Sequence, residues 1–124
     1  MIVGTGIDII EIKRVRKAIE SQKFVQRVFT QKEIVYCESR GVQAAASYAA
    51  RFAGKEAIMK ALGTGLRKGS LVEIEILSDA LGCPTVSLNG YFCELAQEKR
   101  VTDIHISLSH AREYAAAQAI LWRD

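Results

Sequence analysis

Glu56 and Lys60 stand one helical turn apart in Phe52-Ala-Gly-Lys-Glu-Ala-Ile-Met-Lys60, directly ahead of Ala-Leu-Gly-Thr-Gly65. On a helix this spacing puts a carboxylate and an ammonium on one face. Such a face can hold a metal ion and neutralise phosphate oxygens. Taken alone, the pair is also an ordinary helix ion pair worth about 0.3–0.5 kcal/mol, and on spacing alone that plain reading wins. Phe52, Ala49 and Met59 flank Glu56 and set it at the boundary of the apolar face. Arg51 and Lys55 form a second cationic stripe on the neighbouring face.

Asp8 is the second carboxylate of interest, because it lies among isoleucines, a valine and glycines in the first apolar stretch. A buried carboxylate is costly unless it is hydrogen-bonded, paired or bound to a cation. Local backbone N–H groups or an arginine would satisfy it, and so would a metal; the two readings stand level. Asp8 and Glu56 together are two hard oxygen ligands, a set that suits Mg²⁺, which fills the rest of its shell with water and substrate phosphates. Gly63-Thr-Gly65 follows a helix instead of opening one, so it is a helix C-cap before it is a phosphate loop. His105 alternates with Ser107 and Ser109 on the polar side of a strand, where it is either structural or a donor to a phosphate, with Ser109 and His110 near it. No serine stands in a nucleophile elbow, and no cysteine has a histidine partner in the sequence pattern.

These groups need elements to position them. Ile2–Ile10 is expected to be a strand, with Val3, Thr5, Ile7 and Ile9 on one face and Ile2, Gly4, Gly6, Asp8 and Ile10 on the other, both largely buried. Ile12, Val15 and Ile19 then recur at helical spacing. Thr30-Gln-Lys-Glu33 is a capping box for a short helix through about Cys37 to Ser39. A long helix is expected from about Gln43 to Leu62, with Gly63 ending it. Gly54 inside it costs about 1 kcal/mol against alanine and points to close packing. Strands follow at Val72–Leu77 and Thr85–Leu88 around a Gly82-Cys-Pro84 turn, then a short helix near Tyr91–Glu98. Asp103–Ser109 and the apolar Tyr114–Trp122 form an antiparallel hairpin around a turn at His110–Glu113. The class is α+β: an antiparallel sheet packed with one long helix and several short ones, in a single domain over residues 1–124.

Composition agrees. The chain has 124 residues, 49% apolar and 25% charged, as in a soluble globular protein. No apolar run reaches the roughly 18 residues of a membrane span, and the start does not look like a signal peptide. Three widely spaced cysteines, Cys37, Cys83 and Cys93, suggest reduced thiols in the cytoplasm. The net charge of +3 is concentrated in Lys13, Arg14, Arg16, Lys17, Lys23 and Arg27 against the single acid Glu20. This stretch is either a solvated helix face or a docking surface for an acidic partner.

Four blocks, taken together, resemble the small bacterial holo-[acyl-carrier-protein] synthases of the 4'-phosphopantetheinyl transferase superfamily. They are Gly4-Thr-Gly-Ile-Asp8-Ile-Ile-Glu11, Arg27-Val-Phe-Thr-Gln-Lys-Glu33, Arg51 through Gly65, and Ile104-His-Ile-Ser-Leu-Ser-His110 with Glu113-Tyr-Ala-Ala-Ala. The resemblance implies that fold. It also implies transfer of the 4'-phosphopantetheine group of coenzyme A to a serine of apo-acyl carrier protein, releasing adenosine 3',5'-bisphosphate, in support of fatty acid biosynthesis. Asp8 and Glu56 would hold Mg²⁺ and Lys60 would offset phosphate charge, making these three the catalytic set. Either Glu56 or a water held at the metal site would take the serine proton. Arg51, His105, Ser109 and His110 would meet coenzyme A, with Gly63 and Gly65 leaving the backbone room. Arg14 would meet the carrier. The family's homotrimers place active sites between subunits, and neither nucleic acid nor membrane is involved.

Three positions depart from the family pattern: Gly54 replaces the usual alanine, Cys83 stands where a lysine is common, and Ser21-Gln-Lys-Phe24 is one residue short. The competing reading is a non-catalytic basic module for an acidic protein or nucleic acid. It has no use for Asp8 in an apolar strand or for the Glu56–Lys60 pairing.

Overall fold

Alternating small and apolar residues at the head of the chain build β1 (Ile2–Glu11), which pairs antiparallel with β5 (Tyr114–Trp122). On its other side β5 pairs antiparallel with β4 (Asp103–His110), so the sheet order is β1-β5-β4. A second antiparallel sheet pairs β2 (Ile74–Ser78) with β3 (Pro84–Leu88). The computed structural model describes residues 1–65 and 68–124. The helices are α1 (Ile12–Ala18), α2 (Gln22–Val28), α3 (Gln31–Glu38), α4 (Ala44–Ala61) and α5 (Gly90–Glu98). The expected α+β class, the long helix and the hairpin are all present. β2 begins two residues later than expected, because Leu71–Glu73 coil into a 3-10 turn.

One helix went unread in the sequence. α2 opens on Ser21, whose hydroxyl accepts from the Phe24 backbone N–H at 3.3 Å. The signal was there, a serine N-cap ahead of Phe24, Val25 and Val28 at helical spacing, but seven residues form only two turns. The capping box of α3 forms as read: Thr30 Oγ1 accepts from Glu33 N at 3.2 Å, and Thr30 N donates to Glu33 Oε1 at 2.8 Å.

Glu33 does more than cap. It is fully buried and receives Lys55 Nζ on Oε1 at 2.8 Å and Ile76 N on Oε2 at 2.8 Å. Lys55, also fully buried, spends its other donors on the carbonyls of Leu71 and Ile74. Lys55 is therefore not part of a surface stripe, as its spacing suggested. It ties α3, α4 and β2 together through a buried pair whose hydrogen bonds are satisfied.

α4 lies across the three-stranded sheet, and small residues set how closely. Ala49, Ala53, Ala57 and Ala61 are buried on the helix, and Ala115, Ala117 and Ala119 on β5. Against β1 the contact is backbone on backbone. A Cβ added to Gly6 would stand 1.9 Å from the Ala57 carbonyl oxygen, and one on Gly4 2.0 Å from that of Ala61. Gly54 is tight in a different way: its Cβ would meet the side-chain ends of Ile76, Ile106 and Leu108 at 2.6, 3.1 and 3.2 Å. One flank of α4 thus rests on β1, and the other faces β4 and β2.

The expectation that both faces of β1 are buried is corrected. Gly4, Gly6, Asp8 and Ile10 turn to α4, but Ile7 and Ile9 on the other face are 67% and 66% exposed in the single chain. Among the described residues no helix covers the far side of this sheet, since α4 packs on the near side.

The two kinds of glycine contact predict opposite outcomes. Gly6→Ala forces a methyl into backbone that cannot yield and loses about 2–3 kcal/mol or fails to fold. Gly54→Ala displaces flexible side-chain ends and recovers about 1 kcal/mol of helix propensity, so it stays within about 1 kcal/mol of the parent. Urea unfolding midpoints of the two variants check this.

Candidate active site

The close seat of β1 on α4 brings Asp8 to the helix. Asp8 pairs in register with Ala117 and points to the α4 side, its side chain 18% exposed. Lys60 Nζ donates to Asp8 Oδ1 at 3.1 Å and to the Ile7 carbonyl at 2.9 Å, with its own side chain 53% exposed. The plain helix pair is therefore not what forms: the carboxylate on Lys60 comes from β1, not from Glu56.

Glu56 is half-buried. Burial lifts its carboxyl above the usual carboxylate range, repulsion from Asp8 lifts it further, and Lys60 opposes both. Two carboxylates thus crowd around one ammonium, short of positive charge. Among the described residues no group of three or more His, Cys, Asp or Glu forms a larger cluster. Two hard oxygen donors with an open side fit Mg²⁺, which takes one or two protein carboxylates and leaves its other positions to water and phosphate.

On the opposite flank of α4, Arg51 is 4% exposed. Its Nη1 donates to Ser47 Oγ at 3.3 Å and its Nη2 to Ser78 Oγ at 3.0 Å, while its guanidinium lies 4.3 Å from the centre of the Tyr36 ring. Nε is buried with no partner, and among the described residues no carboxylate pairs with Arg51. A desolvated cation without a counter-ion has strong demand for an anion. It lines a cleft of about 180 Å³ with Tyr36, Arg40, Ser47, Ser78, Ser109 and His110. Spacing could not reveal this cleft, since its walls come from α3, α4, the β2–β3 turn and the end of β4.

The remaining candidates fall into separate places. His110 and Ser109 reach the Arg51 cleft from the end of β4. His105 does not: it faces the far side of the sheet, with Ser107, and sits beside Ile120 in register. Asp8 and His105 are therefore on opposite faces and on opposite edge strands. Gly63, at φ +74°, ends α4 with its N–H on the Lys60 carbonyl at 3.0 Å. It and Gly65 have open space where a Cβ would be, so a ligand can approach their backbone. Arg14 lies on the exposed basic face of α1, opposite the buried Ile12 and Val15.

The raised carboxyl of Glu56 has a consequence for stability. The folded protein binds that proton more tightly than the unfolded chain does. Its contribution therefore favours folding below the unfolded value and is lost as pH rises through the folded one. At pH 8 Glu56→Gln melts at a higher temperature than the parent. The gain shrinks as pH falls through the raised range and vanishes below the ordinary carboxylate value. Melting curves from pH 4 to 8 read this directly.

A family model for the 4'-phosphopantetheinyl transferase superfamily matches residues 4–119. The holo-[acyl-carrier-protein] synthase of Ruminiclostridium cellulolyticum is 50% identical over 124 residues, covering 98% of this chain and 91% of its own length. The crystal structure of the Neisseria meningitidis holo-[acyl-carrier-protein] synthase superposes with a TM-score of 0.89 at 31% identity, over 99% of this chain and 100% of that one. That of the Bacillus anthracis synthase, in complex with CoA (3',5'-ADP), gives 0.84 at 36% identity over 100% and 99%. The matched span holds Asp8, Arg51, Glu56, Lys60 and the β4 residues, and the chain belongs to the 4'-phosphopantetheinyl transferase superfamily, among its holo-[acyl-carrier-protein] synthases.

Proposed function

We propose that this chain transfers the 4'-phosphopantetheine group of coenzyme A to a serine of apo-acyl carrier protein, in an Mg²⁺-dependent reaction that releases adenosine 3',5'-bisphosphate. The observation that carries the reading is the meeting of Asp8, Glu56 and Lys60, with Lys60 bonded to a carboxylate 52 residues away. Asp8 and Glu56 would hold the cation. When bound, it supplies Lewis-acid stabilisation of charge on the pyrophosphate. Lys60 offers its ammonium to the same phosphate oxygens. The carrier's serine oxygen forms the new bond to the phosphorus bearing pantetheine, and the bond to the adenosine side breaks with its electrons on the departing phosphate. Glu56 directly, or a water held at the metal site, takes the serine proton. Arg51 anchors an anionic group of coenzyme A in its cleft, with Ser109 and His110 at the rim, and the exposed backbone at Gly63 and Gly65 admits the pantetheine arm.

Assembly belongs to the same reading. The exposed face bearing Ile7 and Ile9 is the kind of apolar patch that marks an interface. It also carries His105, which cannot reach its own chain's Asp8. The Arg51 cleft and the Asp8 cluster lie on opposite flanks of α4. A homotrimer with sites between subunits covers that face and joins one chain's cleft to another's carboxylates. The basic face of α1, with Arg14, steers the acidic carrier. Three unbridged cysteines, and no helix long and apolar enough to cross a membrane among the described residues, suit a cytoplasmic protein that acts without membrane or nucleic acid.

The test is incubation with coenzyme A, Mg²⁺ and apo-acyl carrier protein, read by mass. The carrier gains the phosphopantetheine mass, a chelator stops the gain, and Glu56→Gln lowers the rate by at least about 100-fold. A carrier of unchanged mass would favour the non-catalytic basic module. Assembly has its own readout: Ile9→Lys sediments as a monomer and loses transfer. Arg51→Ala and Glu56→Gln, each inactive alone, recover part of the activity when refolded together.

A further inference from the structure

The ion pair at Lys60 and the metal site draw on the same carboxylate. Lys60 Nζ has three donors, and two are committed, to Asp8 Oδ1 at 3.1 Å and the Ile7 carbonyl at 2.9 Å. Formal charge at the cluster is net negative by one with both carboxylates ionised and the ammonium in place. A divalent cation there makes it net positive by one. Asp8 then cannot serve as full counter-ion to both cations, and the repulsion between them outweighs one half-exposed ion pair.

Lys60 is built to give way. Its side chain is 53% exposed on a flexible four-carbon stem. The Ile7 carbonyl belongs to β1, an edge strand of the sheet, so water can replace the ammonium there when it leaves. Arg51 and Lys55 have no such freedom, being buried and held by two or more partners each.

Resting on the reading of Asp8 and Glu56 as metal ligands, we propose that Lys60 is a displaceable counter-ion that couples the metal to the phosphate. It holds Asp8 in the free protein and is driven outward when a divalent cation takes the carboxylates. There it becomes the cation that a phosphate group must neutralise. Metal and coenzyme A each bind more tightly in the presence of the other, and the coupling is reciprocal. Lys60 therefore has a cost as well as a use: it weakens the binding of metal alone in order to strengthen the binding of metal with substrate.

Mn²⁺, followed by the electron-spin signal of the free ion, is the probe, with coenzyme A as the phosphate ligand. Lys60→Met binds Mn²⁺ alone at least about fivefold more tightly than the parent, yet coenzyme A no longer improves that affinity to the parent's extent. In the unaltered protein, brief acetylation read by peptide mass shows Lys60 becoming more reactive as Mn²⁺ saturates, while the exposed Lys23 of α2 does not change. An unaltered protein that binds Mn²⁺ with Lys60 no more reactive overturns the proposal alone, as does a Lys60→Met variant that binds Mn²⁺ no more tightly. A protein that binds no Mn²⁺ overturns the metal reading and the proposal with it.

Discussion

The contact on which the site depends has no side chains in it. Gly4 and Gly6 let the backbone of β1 rest on the carbonyls of Ala61 and Ala57, at a separation that no Cβ could survive. Two residues further on, the same strand carries Asp8 to the helix that bears Glu56 and Lys60. Any standoff between strand and helix would carry Asp8 away from Glu56 and Lys60. The glycine cost in a strand is thus the condition for bringing Asp8 to Glu56 and Lys60. The near face of the sheet is committed to α4 by this packing, which leaves the far face, with Ile7, Ile9 and His105, exposed in the single chain.

Three charged clusters sit along α4, and their degree of satisfaction separates structure from chemistry. Lys55 is buried with a full set of partners, Glu33 and two carbonyls, and has nothing left to offer a ligand. Arg51 is nearly as buried, but among the described residues it pairs with no carboxylate and has serine hydroxyls and a tyrosine ring beside it. Lys60 is half in water and holds the Asp8 carboxylate. Burying an ion is costly, so the buried cation left without a counter-ion is the one whose placement calls for a function.

The sequence carried the elements well and the partners poorly. Period-2 and period-3.6 patterns, the Thr30–Glu33 box and Gly63 located strands and helix ends, because these depend on neighbours a few residues away. α2 escaped, since two turns hold too few periodic positions to stand out from a loop. Asp8 and Glu56 stood out in the sequence as candidate ligands by their types and surroundings, yet Lys60's choice of Asp8 over Glu56 did not. Helical spacing describes which residues share a face, while the ion pair was decided by a strand from far along the chain. The same limit hid Lys55: its spacing from Arg51 suggested a shared cationic stripe, and only the placement of Glu33 from α3 shows it as core. The exposure of β1 likewise depends on what packs where, which an alternating pattern of isoleucines cannot specify.

The buried guanidinium of the cleft sets the order in which a ligand is judged. Arg51 was desolvated when the chain folded, before any ligand arrived, and Nε still lacks a partner. A neutral molecule of matching outline would seal that charge further from water and give nothing back. Shape therefore counts only for molecules that first bring negative charge, and an uncharged mimic of a good ligand is rejected more firmly than a poorly fitting anion. For anyone seeking to block the cleft, the acidic group is the last part of the molecule to replace.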